Sequence, residues 1–123
     1  MSDKFNTEYK ILQTACDIFL LFGYHGATLK QIAIQAGVNK SAVHYYFRSK
    51  EKLYISVVNK TLNTVFTIKD ENIIGQKDFE KTTWFLATEL YNNGSLFEKA
   101  LKTLYPTDWV EKLNGIKKWL VRK

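Results

Sequence analysis

The stretch LKQIAIQAGVNKSAVHYYF, residues 29–47, constrains this chain more than any other. It holds one glycine between two short apolar segments, and each segment opens on a residue suited to starting a helix. Thr28 and Gln31 form Thr-x-x-Gln, a capping box in which each residue's side chain serves the other's backbone amide, so a helix is expected from Leu29. Its inward face is Leu29, Ile32, Ala33 and Ala36, the small alanines letting a second helix approach closely, while Ile34 falls outside that face. Gly37 follows the last periodic residue, where a helix end calls for a left-handed backbone that glycine adopts without a Cβ penalty. Val38 plugs the corner, and Asn39 is a favourable N-cap for a third helix over Lys40 to Tyr46 or Phe47. Two helices joined by such a corner make a helix-turn-helix.

The flanking pattern is helical throughout. Upstream, Ile11, Ala15, Ile18, Phe19 and Phe22 form one stripe of an amphipathic helix that stops at Gly23, with Cys16 beside the stripe as a small buried hydrophobe. Downstream, Ser49 caps a fourth helix with Glu51 in its first turn, and Leu53, Val57, Thr61 and Val65 at four-residue steps carry it to about Thr67. Residues 68–77, IKDENIIGQK, break the periodicity and read as a linker. Three further helices follow. The first is built on Phe79, Thr83, Leu86 and Leu90, with Trp84, Ala87 and Tyr91 on a neighbouring stripe. The next carries Phe97, Ala100, Leu101 and Leu104 and ends before Pro106, and the last, from Asp108, buries Trp109, Leu113, Ile116 and Leu120. With a single proline in 123 residues, the expected fold is all-α: a three-helix unit with the helix-turn-helix, a long connecting helix and a shortened helical region.

The third helix divides its side chains by face. Advancing 100° per residue, Val43 and Phe47 lie on one side with Tyr46 at its edge, and Ser41, Ala42, His44 and Tyr45 on the other, with Lys40 at the N-terminus. Such a face suits a major groove, where hydroxyl and imidazole groups meet base edges and phosphates and Ala42 can touch a thymine methyl. Thr28, Tyr46 and Lys50 are placed to meet phosphates. Charge agrees with this. Between Thr28 and Lys60 the six cations Lys30, Lys40, Arg48, Lys50, Lys52 and Lys60 face one anion, Glu51, so the stretch carries five of the chain's net +6 charge. Helix-turn-helix shape alone also serves plain packing, and charge and face together favour double-stranded DNA.

The segment GYHGATLKQIAIQAGVNKSAVHYYFRSKEKL resembles the DNA-binding segment of the TetR family of bacterial transcriptional repressors, through its G-Y-x-x-A-T lead-in, its I-A-x-x-A-G-V second helix and its Y-Y-F-x-S-K-E-x-L exit. The resemblance covers roughly residues 8–58. It implies a homodimer in which each third helix reads a major groove, a near-palindromic operator, and a C-terminal region that binds a small-molecule inducer and forms the dimer. It makes Lys40, Ser41, Ala42, His44 and Tyr45 the groove-facing set and places Thr28, Tyr46 and Lys50 at phosphates. Asn39 departs from the family's usual serine at that position but caps equally well. On this basis residues 1–50 are the expected DNA-binding domain, and residues 51–123 a ligand-binding and dimerisation region, shortened or incomplete, whose missing dimer helices belong beyond Lys123. Its aromatic residues can line a pocket floor or simply fill the core.

Other classes find little support. No nucleophile elbow, metalloprotease helix, phosphate loop or calcium loop occurs, and Cys16, His25 and His44 have no spacing that calls for catalysis or a metal, so neither an enzyme nor a cofactor is expected. One cysteine allows no intrachain disulfide, and the N-terminal residues lack the apolar core of a signal peptide. No run reaches the about 18 apolar residues of a membrane span, and a cytoplasmic location is expected. The alternative function is an interaction module that does not bind DNA and pairs with a full-length regulator.

Overall fold

A computed structural model describes residues 3–67 and 76–121, and among the described residues there are seven helices and no strand. They are α1 (Asp3–Gly26), α2 (Leu29–Ala36), α3 (Lys40–Phe47), α4 (Lys50–Thr67), α5 (Gln76–Asn92), α6 (Gly94–Leu104) and α7 (Trp109–Val121). The protein is all-α, as its periodicity implies. Most of the expected linker, residues 68–75, lies outside the described residues, and α5 already begins at Gln76. The helices gather into two compact units, Met1–Val57 and Val58–Lys123, which divide within α4.

In the first unit, α1 supplies Ile11, Ala15, Ile18 and Phe19 to the core, α2 adds Ile32 and Ala33, and α3 adds Val43 and Phe47. The first turns of α4 close it with Leu53, Tyr54 and Val57. Each of the Ile, Val, Leu and Phe side chains so withdrawn from water stabilises the fold by about 1.5–3 kcal/mol. The Tyr54 ring meets Phe19 edge-on at 5.5 Å and Tyr24 at 5.3 Å, which ties α4 to the end of α1. Cys16 is buried, as a small hydrophobe should be.

The end of α1 is sharper than its bounds suggest. Gly23 has φ 74° and ψ 167° inside the helix, so the regular helix breaks there, and a turn closed by the Ala27 N–H on the Gly23 carbonyl at 3.1 Å leads into α2. Phe22, just before the break, is half exposed rather than part of the inward stripe, because the stripe loses its partner surface where the chain turns. The Gly23 backbone region is open essentially to glycine alone, while an added Cβ would meet nothing within 4 Å. Gly23→Ala is therefore expected to destabilise the first unit by about 1–3 kcal/mol through backbone strain alone. Urea unfolding followed by circular dichroism measures it, and an unchanged midpoint would mean that the break relaxes without cost.

The second unit has its own core. Leu62 and Val65 from α4 join Phe79, Phe85 and Leu86 from α5, Phe97, Ala100 and Leu101 from α6, and Ile116 from α7. On α5 the buried stripe is Phe79, Thr82, Phe85, Leu86 and Glu89, so the expected flanking stripe is corrected: Trp84 and Tyr91 are 65% and 81% exposed. Only Ile116 of the four residues expected to be buried by α7 is fully so; Trp109, Leu113 and Leu120 are half-buried. Glu89, 1% exposed, accepts a hydrogen bond from Asn93 Nδ2 at 3.1 Å, which helps a carboxylate tolerate the interior. Gly115 lets α7 approach α4, since a Cβ there would stand 3.1 Å from the Phe66 ring. Burial first, and the Asp108 carboxylate second, raise the Tyr105 phenol above its usual pKa, so it stays neutral as a packing residue.

Candidate nucleic-acid interface

Three local devices set the direction of α3. At the start of α2 the Thr28 Oγ1 accepts the Gln31 N–H at 3.0 Å and the Gln31 Oε1 accepts the Thr28 N–H at 2.9 Å, the reciprocal capping box expected from Thr-x-x-Gln. At its end Gly37 sits at φ 73° and ψ 33°, donating to the Ile34 carbonyl at 3.1 Å, while the Val38 N–H reaches the Ala33 carbonyl at 3.0 Å. This pair of bonds is the Schellman ending that a left-handed glycine permits. After α3, the Ser49 Oγ accepts the Lys52 N–H at 3.1 Å and caps α4. Asn39 is corrected: it occupies the N-cap position of α3 but its side chain makes no cap bond, and its carbonyl accepts the Ala42 N–H at 3.0 Å instead.

Held in this way, α3 turns Val43 and Phe47 inward, 1% and 5% exposed. Ser41, His44 and Tyr45 are exposed on the opposite arc, Tyr45 at 62%, and Lys40 is exposed at the N-terminus of the helix. Ala42 and Tyr46 are half-buried at the margins, and the Tyr46 ring packs edge-on against Tyr45 at 5.0 Å. Thr28 is exposed at the start of α2. The structure thus brings seven of the eight expected residues, Thr28, Lys40, Ser41, Ala42, His44, Tyr45 and Tyr46, to the outer side of the helix-turn-helix or its margins.

Lys50, the eighth, is engaged elsewhere. Its Nζ donates to the Tyr24 carbonyl at 2.8 Å and the Ala27 carbonyl at 3.0 Å and lies 4.5 Å from the centre of the Tyr24 ring. An ammonium has three donors, and two of them hold the turn between α1 and α2. Arg48, in the sequence one of the six cations of this stretch, is exposed and lies next to the face, with a positive φ of 73°. Its signal was its place four residues after His44, one helical turn on. Among the described residues no group of three His, Cys, Asp or Glu side chains is arranged to hold a metal, and no helix is long and apolar enough to cross a membrane.

Residues 11–57 match the model of the family described as bacterial regulatory proteins, tetR family. Residues 11–57 thus carry a segment similar to that of the tetR family. The HTH-type transcriptional regulator RutR of Escherichia coli strain K12 is 53% identical over 53 residues, covering 43% of this chain and 25% of RutR. The uncharacterized HTH-type transcriptional regulator YxaF of Bacillus subtilis strain 168 is 31% identical over 117 residues, 94% of this chain and 54% of YxaF. A crystal structure of a HlyIIR mutant protein has the same fold with a TM-score of 0.51 at 24% identity, over 97% of this chain and 66% of that one. The chain therefore spans a quarter of RutR and about half of YxaF. Family and relatives are transcriptional regulators and not enzymes.

Proposed function

We propose that this chain, as a member of the tetR family, binds double-stranded DNA by laying α3 in the major groove and thereby regulates transcription. The observation that carries the reading is the exposed arc of Ser41, His44 and Tyr45 opposite the buried Val43 and Phe47. Polar side chains on a short outward helix are the groups that read base edges. Lys40, Thr28, Tyr46 and the remaining donor of Lys50 then meet phosphates or edge the groove, and Ala42 approaches a thymine methyl. The named relatives, which are HTH-type transcriptional regulators, support the same reading.

The finer proposal is a ligand-responsive repressor acting as a homodimer. Two copies of α3 related by a two-fold axis would enter grooves one DNA turn or a multiple apart, which calls for a near-palindromic operator. Residues 1–50 would form the DNA-binding domain and residues 51–123 the ligand-binding and dimer-forming region. The second unit has open clefts of about 380 and 780 Å³, the larger lined by Thr83, Ala87, Leu90, Tyr91, Leu120 and Val121 among others, and an inducer would be sought there.

Selection of duplexes from a randomised pool, followed by anisotropy titrations, tests this. The folded chain is expected to retain near-palindromic sequences, and Tyr45→Ala to lower the ratio of specific to mixed-sequence affinity by about 5- to 100-fold. Stability should stay within about 0.5 kcal/mol, since Tyr45 is a surface residue. A ratio unmoved by Tyr45→Ala would exclude that ring from base recognition.

A further inference from the structure

Immediately after α3 the backbone takes an uncommon path. Arg48 has φ 73° and ψ −48°, and the Ser49 N–H donates to the Phe47 carbonyl at 2.8 Å. Positive φ, negative ψ and a bond from residue i to i+2 describe the rarer, strained form of the γ-turn, which an arginine adopts only under constraint. The turn ties Arg48 to His44 twice. The Arg48 N–H donates to the His44 carbonyl at 3.0 Å, and the Arg48 carbonyl lies 3.3 Å from His44 Nδ1.

A carbonyl oxygen only accepts, so the proton of the second bond belongs to Nδ1. In a neutral imidazole the other nitrogen, Nε2, is then a bare acceptor. The side chain is exposed on the outer arc of α3. Its neighbours differ in kind: the Ser41 and Tyr45 hydroxyls on the same arc can donate or accept, and Lys40, one turn earlier at the helix N-terminus, only donates. On major-groove edges the donors are the N6 amine of adenine and the N4 amine of cytosine, whereas guanine O6 and N7 and thymine O4 accept. An acceptor nitrogen set against a keto base leaves two lone pairs facing each other and both groups unsatisfied.

We infer that the Arg48 turn holds His44 as a hydrogen-bond acceptor and that, given DNA binding through α3, His44 selects an amino base, adenine or cytosine, over guanine or thymine at one operator position. His44 is thereby a specificity-determining residue, and Arg48 acts on the choice through its backbone.

Long-range proton–nitrogen correlation spectra of the DNA-free chain, recorded with imidazoles neutral, read the tautomer directly. The proton is expected on Nδ1, in the parent and also in Arg48→Gly, where glycine tolerates the same φ and only the side chain is lost. A proton on Nε2 would overturn the first half. Duplex selection with the parent and His44→Ala reads the second half. The parent is expected to prefer an amino base at one position per half-site by about three- to ten-fold, and His44→Ala to lose that preference alone. Replacing a selected adenine by purine, which lacks the N6 amine, should weaken the parent by the same factor and leave His44→Ala unaffected. A preference for guanine or thymine that vanishes in His44→Ala, or no preference that depends on His44, overturns the base assignment. If no duplex is retained at all, the DNA-binding reading fails and takes the base assignment with it, while the tautomer in the free chain is still decided on its own.

Discussion

Phe47→Ala is expected to lower the unfolding free energy by about 3–5 kcal/mol and to abolish duplex binding with it. Phe47 is the last residue of α3, 5% exposed, and shares with Val43 the task of seating the helix on the first unit's core. The helix has only eight residues, too few to be stable alone in water, so its geometry depends on these two anchors. Truncation removes most of an aromatic side chain and leaves a cavity that the neighbouring rings fill only in part. Against a total stability of about 5–15 kcal/mol for a small domain, the loss is large enough to populate unfolded chains. Denaturant unfolding and a DNA titration of the same sample test this. A loss below about 1 kcal/mol would show that α3 is seated by something other than its inward ring. Tyr45→Ala, one face away, should do the reverse and alter recognition while sparing the fold.

Lys50→Met should carry the second large effect. The substitution keeps a long apolar stem and deletes the ammonium that bridges the carbonyls of Tyr24 and Ala27. Hydrogen bonds to a charged donor contribute about 1.5–3 kcal/mol each, and the site is half-buried, so a total loss of about 2–4 kcal/mol is expected for the two. The functional result follows from position. Ala27 directly precedes Thr28, the cap that starts α2, so freeing its carbonyl loosens the start of the helix-turn-helix. Affinity for all duplexes should fall, and the slope of log affinity against log salt should drop by about one if the third donor meets a phosphate. Calorimetry together with salt-dependent titrations separates the two roles. An unchanged melting temperature with a reduced salt slope would make Lys50 a phosphate contact only; the opposite pair of results would make it purely structural.

What the sequence disclosed is mostly what a span of three or four residues decides. The Thr28–Gln31 box, the left-handed Gly37 and the Ser49 cap each depend on their nearest neighbours, and all three take the expected form. The inward Val43 and Phe47 follow from helical period in the same way. Asn39 shows the limit of that logic. Its residue type suits a cap, but the first turn of α3 closes on its backbone carbonyl and the side chain makes no cap bond. On α5, period identifies two adjacent stripes without saying which one meets a neighbour, and the core takes Thr82, Phe85 and Glu89 rather than Trp84 and Tyr91. Nothing local marks Glu89 for the interior, because an acidic residue is buried only where its partners are supplied by the fold. Lys50 was beyond reach for another reason: its acceptors lie 26 and 23 residues earlier in the chain. Its place at the start of α4 points to a phosphate, and only the folded turn after Gly23 reveals the carbonyls. The Arg48 γ-turn likewise has no signature in a residue type that avoids positive φ.

Titration of the isotope-labelled chain with duplex DNA at low ionic strength, followed residue by residue by nuclear magnetic resonance, bears most directly on the role of α3. Signals of Ser41, His44 and Tyr45 are expected to move most, with Thr28 and Lys40 beside them, while intermolecular contacts link the Tyr45 ring to major-groove protons. A properly folded chain whose α3 signals stay in place, or whose only DNA-dependent shifts lie in residues 76–121, would contradict this role.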